Sequence, residues 1–255
     1  MTGSARRRTG DSRYGGRVPL VAAAVCPHPP LLVPEVAGAA ASELDDLRAA
    51  CDTAVARLVA ADPDAVVLVG AGPTTGPIQS PATGSLQPWG VDLDVPLIPG
   101  QPDRGAVLPL SLTVGAWLLA RRGVRTPVSA VQVAADAGAA EVGALAEWVN
   151  ASGARVALLA LGDGSACRGQ KSPGYDDPRA EAYDQRVASA LAGADLDVLR
   201  DLDPVVSAEL KAAGRAAWQV LAGAARLGGG SWRGELLHDA APYGVAYFVA
   251  SWERM

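Results

Sequence analysis

The chain has 255 residues, 49% of them hydrophobic, which is enough for one sizeable core. Its net charge of −5 excludes broad binding to a nucleic-acid backbone, and no apolar run approaches the roughly 20 residues of a membrane-spanning helix. Three widely spaced cysteines, Cys26, Cys51 and Cys167, exclude a disulfide framework and point to a reducing, cytoplasmic compartment.

The first 17 residues, MTGSARRRTGDSRYGGR, are polar and rich in Arg and Gly, which predicts a disordered tail. Arg6-Arg7-Arg8 ahead of VPLVAAAVC has the outline of an export signal. The apolar run is short, however, and holds Pro19, and Val25 stands where such a signal needs a small residue. A single domain over 18–255 is expected to follow.

Val18 to Val25 (VPLVAAAV) reads as a buried strand. Ser42 to Ala61 reads as a helix with Leu44, Leu47, Cys51, Val55, Leu58 and Val59 on one face, and Ser42 with Asp45 has the form of a capping box. Asp64 to Gly72 is a second buried strand, followed by a long Gly/Pro/Thr/Ser loop from Pro73 to Gly90. Helical patterns cover Leu108 to Arg121 and Ala139 to Ala151, and strands are predicted at Pro127 to Val133 and Ala154 to Ser165. Two helices are expected to open on a proline at the first turn, Pro178 to Leu191 and Pro204 to Ala225. The closing segment GELLHDAAPYGVAYFVASW reads as two strands broken near Ala241-Pro242. Strand–helix alternation predicts a layered αβα fold around a mostly parallel or mixed sheet, with the final pair adding antiparallel edges.

In such sheets binding sites gather at the carboxyl ends of the strands. Four loops qualify: Cys26 to Pro30, Gly70 to Thr75, Gly162 to Arg168 and His238 to Tyr243. They carry both histidines of the chain, His28 and His238.

The same segments carry a resemblance. CPHPPLLVPE after the first strand is similar to the opening of LigB-type class III extradiol dioxygenases. DAVVLVGAGP resembles their second strand, LGDGSACRG with SPGYDDPRAEAYDQRV resembles their Gly-Asp-Leu-Ser-His segment, and LLHDAAPYGVAYFVASW resembles their closing segment. The four stretches occur in the same order from Val18 to Trp252.

The resemblance implies a non-haem Fe(II) held by two histidines and a carboxylate, a small aromatic catechol-type ligand, ring opening with O₂, and a further histidine as acid/base. It also implies assembly as a homodimer or with a small helical subunit. His28 falls on the first ligand position. Gly72 stands at the second histidine, Ala166 at the acid/base histidine and Ala240 at the closing glutamate.

A rearranged site is one way to replace what is missing. His238 lies two residues before Ala240 and on the same strand face, about 7 Å away. With His28, Cys26 and either Asp163 or Asp239 as the carboxylate it makes a donor set; His28, His238, Asp163 and Cys26 together suit Zn(II) at least as well as Fe(II). Tyr175 and Tyr243 are candidate substrate contacts, and Asp177 and Arg179 adjoin them.

Plainer roles stand beside these. His28 fixes its turn by bonding a neighbouring carbonyl, Asp163 caps a turn, Cys51 packs in the core, and Asp176 or Asp177 caps the helix after Pro178. Cys167 sits beside Arg168, which would lower its pKa. LGGGSW (Leu227 to Trp232) lacks the lysine of a phosphate loop and reads as a turn. Two readings follow: an extradiol-dioxygenase-like oxidoreductase with an altered site, holding Fe(II), Zn(II) or no metal, or a non-catalytic LigB-fold protein that binds a small molecule or a protein partner.

Overall fold

Strands that are covered on both faces must be apolar along their whole length, and the central strands here are. The computed structural model describes residues 20–100 and 105–255. The predicted tail over 1–17 and the first two positions of the first predicted strand lie outside the described residues. Leu20–Cys26 (β1), Ala65–Ala71 (β2) and Val156–Leu161 (β8) form the centre, with β1 and β2 flanking β8 in parallel. Val128–Val133 (β7) adds in parallel to β2, and Gly76–Pro77 (β3) pairs antiparallel at that edge. On the other side Tyr247–Arg254 (β10) runs antiparallel to β1, and Trp232–Ala240 (β9) runs antiparallel to β10. The described order is β3-β7-β2-β8-β1-β10-β9, a seven-stranded mixed sheet.

Helices cover both faces. On one side lie Asp45–Ala60 (α2) and Leu110–Arg121 (α3), over a core that includes Cys26, Cys51, Leu68, Leu112, Leu159 and Tyr247. The short helix Pro34–Ala37 (α1) leads into α2 through a 3₁₀ stretch, Gly38–Leu44. The other face carries Ala139–Ala151 (α4), Ala180–Gly193 (α5), Leu196–Arg200 (α6), Pro204–Glu209 (α7) and Arg215–Gly228 (α8). Its core holds Trp218, Phe248 and Trp252. The layered α/β architecture is as the alternation predicts. Among the described residues no helix is long and apolar enough to cross a membrane.

Local details differ from expectation for identifiable reasons. Ser42 does not cap α2: the 3₁₀ stretch carries the chain on to Leu44, whose side chain makes no capping bond. The Pro73-to-Gly90 loop contains β3 and Ala82–Ser85 (β4). β4 pairs with Asp94–Pro96 (β5) and Ala106–Val107 (β6) in a small second sheet against α3.

Pro178 precedes α5 rather than opening it, because Arg179 is the N-cap. Asp177 instead accepts from the Arg179 backbone N–H at 2.9 Å, and Asp176 accepts from Gly169 N–H at 3.0 Å. The predicted helix from Pro204 is two helices. Lys211 takes a left-handed φ of 54° between them, which an uninterrupted helix cannot contain. Leu196–Arg200 was not predicted, although Asp195 announces it by accepting from the Asp197 and Val198 N–H groups.

Candidate functional site at the carboxyl end of the sheet

β1 and β8 leave the sheet together, and their exits make the site. Cys26 pairs with Leu161, and Gly162 N–H donates to the Cys26 carbonyl at 3.0 Å. A β-carbon at Gly162 would stand 2.3 Å from the Gly214 Cα, so only glycine permits this crossing. The next residue, Asp163, accepts the His28 backbone N–H on Oδ1 at 2.8 Å, and its own carbonyl accepts from Gly214 N–H at 2.8 Å. Asp163 therefore joins three segments that are far apart in sequence. The prolines beside His28 supply no N–H of their own, and the turn closes instead through Leu32 N–H to the Pro29 carbonyl at 3.0 Å.

His28 is buried, and its Nδ1 lies 3.6 Å from Asp163 Oδ1, beyond hydrogen-bond reach. Nδ1 has no hydrogen-bond partner among the described residues. The carbonyl bond expected of this ring is thus not made by Nδ1, and the bond that fixes the turn comes from the backbone. Cys26 is fully buried in the core under α2 and faces Cys51. Burial first, and then the Cys26 hydrogen bond, push the Cys51 thiol up.

His238 sits half-buried on β9 opposite Val249 of β10. Burial lowers its pKa, opposed by Asp239 and Asp46. β10, with its buried Tyr247 and Val249, lies between β1 and β9. The structure thus brings His28 and Asp163 together but does not join His238 or Cys26 to them. Among the described residues no three His, Cys, Asp or Glu side chains form a group able to hold a metal ion. The two-histidine, one-carboxylate set implied by the resemblance does not fit these positions, and neither does the rearranged set.

The position expected for the second histidine is filled from the neighbouring strand. A β-carbon at Gly72 would lie 2.3 Å from Gln132 Oε1 and 2.6 Å from Gln132 Cβ. The Gln132 amide packs against the Gly72 backbone and donates from Nε2 to Thr74 Oγ1 at 2.7 Å, while Oε1 is buried without a partner among the described residues. Gln132 was missed in the sequence, where its only signal is an amide inside the apolar run PVSAVQV. Ala166 is fixed by its backbone, donating to the Leu210 carbonyl and accepting from Gly174 N–H. Ala240 ends β9 opposite Tyr247. Tyr247, also missed, is pushed up by burial and then by the nearby Asp163 charge.

Of the candidate substrate contacts, Tyr243 lies in the β9–β10 turn and Tyr175 in the β8–α5 loop. Tyr243 donates to Glu43 Oε2 at 2.8 Å, which ties the β9–β10 turn to the 3₁₀ stretch before α2, and this bond leads the rise in its pKa. Tyr175 is 79% exposed at a φ of 65°. A cavity of about 440 Å³ opens between the β8–α5 loop and Ala241, lined by Arg168, Asp176, Asp177 and Glu181 among others. Arg168 stands 3.6 Å from Glu181 and 4.0 Å from buried Asp184. Asp184 accepts from Ser165 N–H at 2.8 Å and from Ser165 Oγ at 2.6 Å. Cys167 is not activated by Arg168: burial is the leading effect and raises its pKa.

No family model matches the chain, and no curated protein matches it. Among solved structures it is similar to an uncharacterized protein, JW3007, from Escherichia coli K12. The two share 14% identity at a TM-score of 0.47, over 91% of this chain and 99% of that one.

Proposed function

We propose that this is a LigB-like protein whose ring-cleaving metal cleft has become a binding site for a small, polar aromatic molecule, without extradiol cleavage. The observation that carries the reading is Gln132 packed against Gly72, where the resemblance requires a metal-binding histidine. A bidentate catechol on iron needs several fixed protein ligands, and His28 with Asp163 supplies two groups. What remains suits recognition. The turn is held by Asp163, His28 offers an imidazole nitrogen without a partner among the described residues, and Arg168 lines a cavity along the β8–α5 loop that also carries Asp163.

A second reading keeps the enzyme: a dioxygenase-like oxidoreductase that binds Fe(II) or Zn(II) at His28. It is favoured by the free Nδ1 facing Asp163 Oδ1 at 3.6 Å. Oxygen uptake separates the two. After anaerobic loading with Fe(II), the chain is mixed with catechol and with protocatechuate. The binding reading expects saturable binding with no oxygen consumed above the protein-free control. Catalytic oxygen consumption that is lost in His28→Ala would establish the enzyme reading.

A further inference from the structure

A second cavity, of about 550 Å³, lies on the opposite face of the sheet from Cys26 and α2. Its walls are α4, α8 and the α6–α7 connection, and small residues make the room: Gly143 and Ala146 on α4 and Gly223 on α8. Its volume falls within the range of small-molecule sites.

One wall carries a buried cation. Arg215 is 4% exposed and lines the cavity. Its Nη1 donates to Gln219 Oε1 at 2.7 Å, and its Nη2 donates to the carbonyls of Ala135 at 2.6 Å and Ala137 at 3.2 Å. Gln219 is held in turn, donating to the carbonyls of Arg200 and Leu202. These bonds fix the guanidinium but leave its charge uncancelled. No carboxylate lies within ion-pair distance of Arg215 among the described residues.

The nearby carboxylates are exposed or already engaged. Asp203 caps α7, Asp197 is paired with Arg226, and Glu147, Asp201 and Asp136 face solvent. Burying a charge without a counter-charge is unfavourable, so an anion arriving from solvent gains what the fold withholds. Burial also pulls the Arg215 pKa below the usual arginine value.

We propose that this cavity binds a small organic anion, a carboxylate carried on an apolar body, with Arg215 receiving the carboxylate. The site is separate from the His28 cleft and does not depend on the function proposed for it. The probes are 2-naphthoate and decanoate against their neutral amides, titrated calorimetrically into the full chain. Each acid is expected to bind roughly tenfold or more tightly than its amide, because a charge-assisted bond replaces a neutral one.

Gly143→Phe supplies a variant that folds: a β-carbon at Gly143 meets nothing within 4 Å among the described residues, and replacing a mid-helix glycine favours the helix. It should fill the cavity and abolish binding. Arg215→Met should bring acid and amide to equal affinity, with circular dichroism confirming the fold. The proposal is overturned if no probe binds, if acid and amide bind alike in the unaltered chain, or if Gly143→Phe leaves affinity unchanged. It is also overturned if Gly143→Phe disrupts a dimer that covers the cavity, as read by light scattering.

Discussion

Removing the Asp163 carboxylate tests whether the β1 exit is held in place from β8. In Asp163→Ala the His28 backbone N–H loses its 2.8 Å acceptor in a place where His28 is only 8% exposed. The Asp163 side chain is itself only 15% exposed, so bulk solvent competes weakly for this donor. A hydrogen bond to a charged group is worth about 1.5–3 kcal/mol, and leaving the buried donor unsatisfied costs the same order. At about 2–4 °C per kcal/mol for a chain of this size, the melting temperature should fall by roughly 3–12 °C.

Asp163→Asn keeps an acceptor oxygen and should lose less than about half of that. The assay is thermal and urea unfolding of the three proteins, followed by far-ultraviolet circular dichroism. An alanine variant within about 0.5 kcal/mol of the parent would behave like an ordinary surface substitution and would refute the reasoning.

Other consequences are as direct. Gly72→His alone should destabilise by about 1–3 kcal/mol, because its β-carbon meets Gln132, and adding Gln132→Ala should recover part of that loss. A double-mutant cycle showing strict additivity would mean that Gln132 does not fill the position. Burial raises the Asp184 pKa, so the folded state holds that proton more tightly than the unfolded chain. The parent should therefore lose stability relative to Asp184→Asn as pH climbs from the ordinary aspartate value through the raised folded one. Melts of the two proteins that stay parallel across that window would contradict it. The three cysteines are free and buried, so Ellman's reagent should find them only beyond the unfolding midpoint; fast reaction of any one in the native chain would show an unexpected opening.

The fold was legible where a segment's own pattern decides its structure. The runs in β1, β2 and β8 are apolar because both sheet faces are covered, and α4 shows the span expected of it, Ala139–Ala151. Legibility failed where pairing partners are remote. β4 has no alternation of its own and exists by pairing with β5 and β6. The break between α7 and α8 turns on one left-handed residue, Lys211, whose type gives no warning. In the site, His28 and Asp163 were both marked, yet their contact spans 135 positions and follows only from β1 lying beside β8. Gln132 could not be linked to Gly72 without the register of β7 on β2, which sets Gln132 against Gly70. Cys26 and His238 carried suitable donors, but the strand faces direct Cys26 to Cys51 and set His238 beyond β10.

The function proposed above holds that an extradiol-like frame persists here without the ligands for iron. It is tested most directly by anaerobic equilibrium dialysis against Fe(II), with iron per chain measured for the parent and for His28→Ala. The account predicts well under one iron per chain and the same content in both proteins. One tightly held iron per chain that disappears in His28→Ala would contradict it.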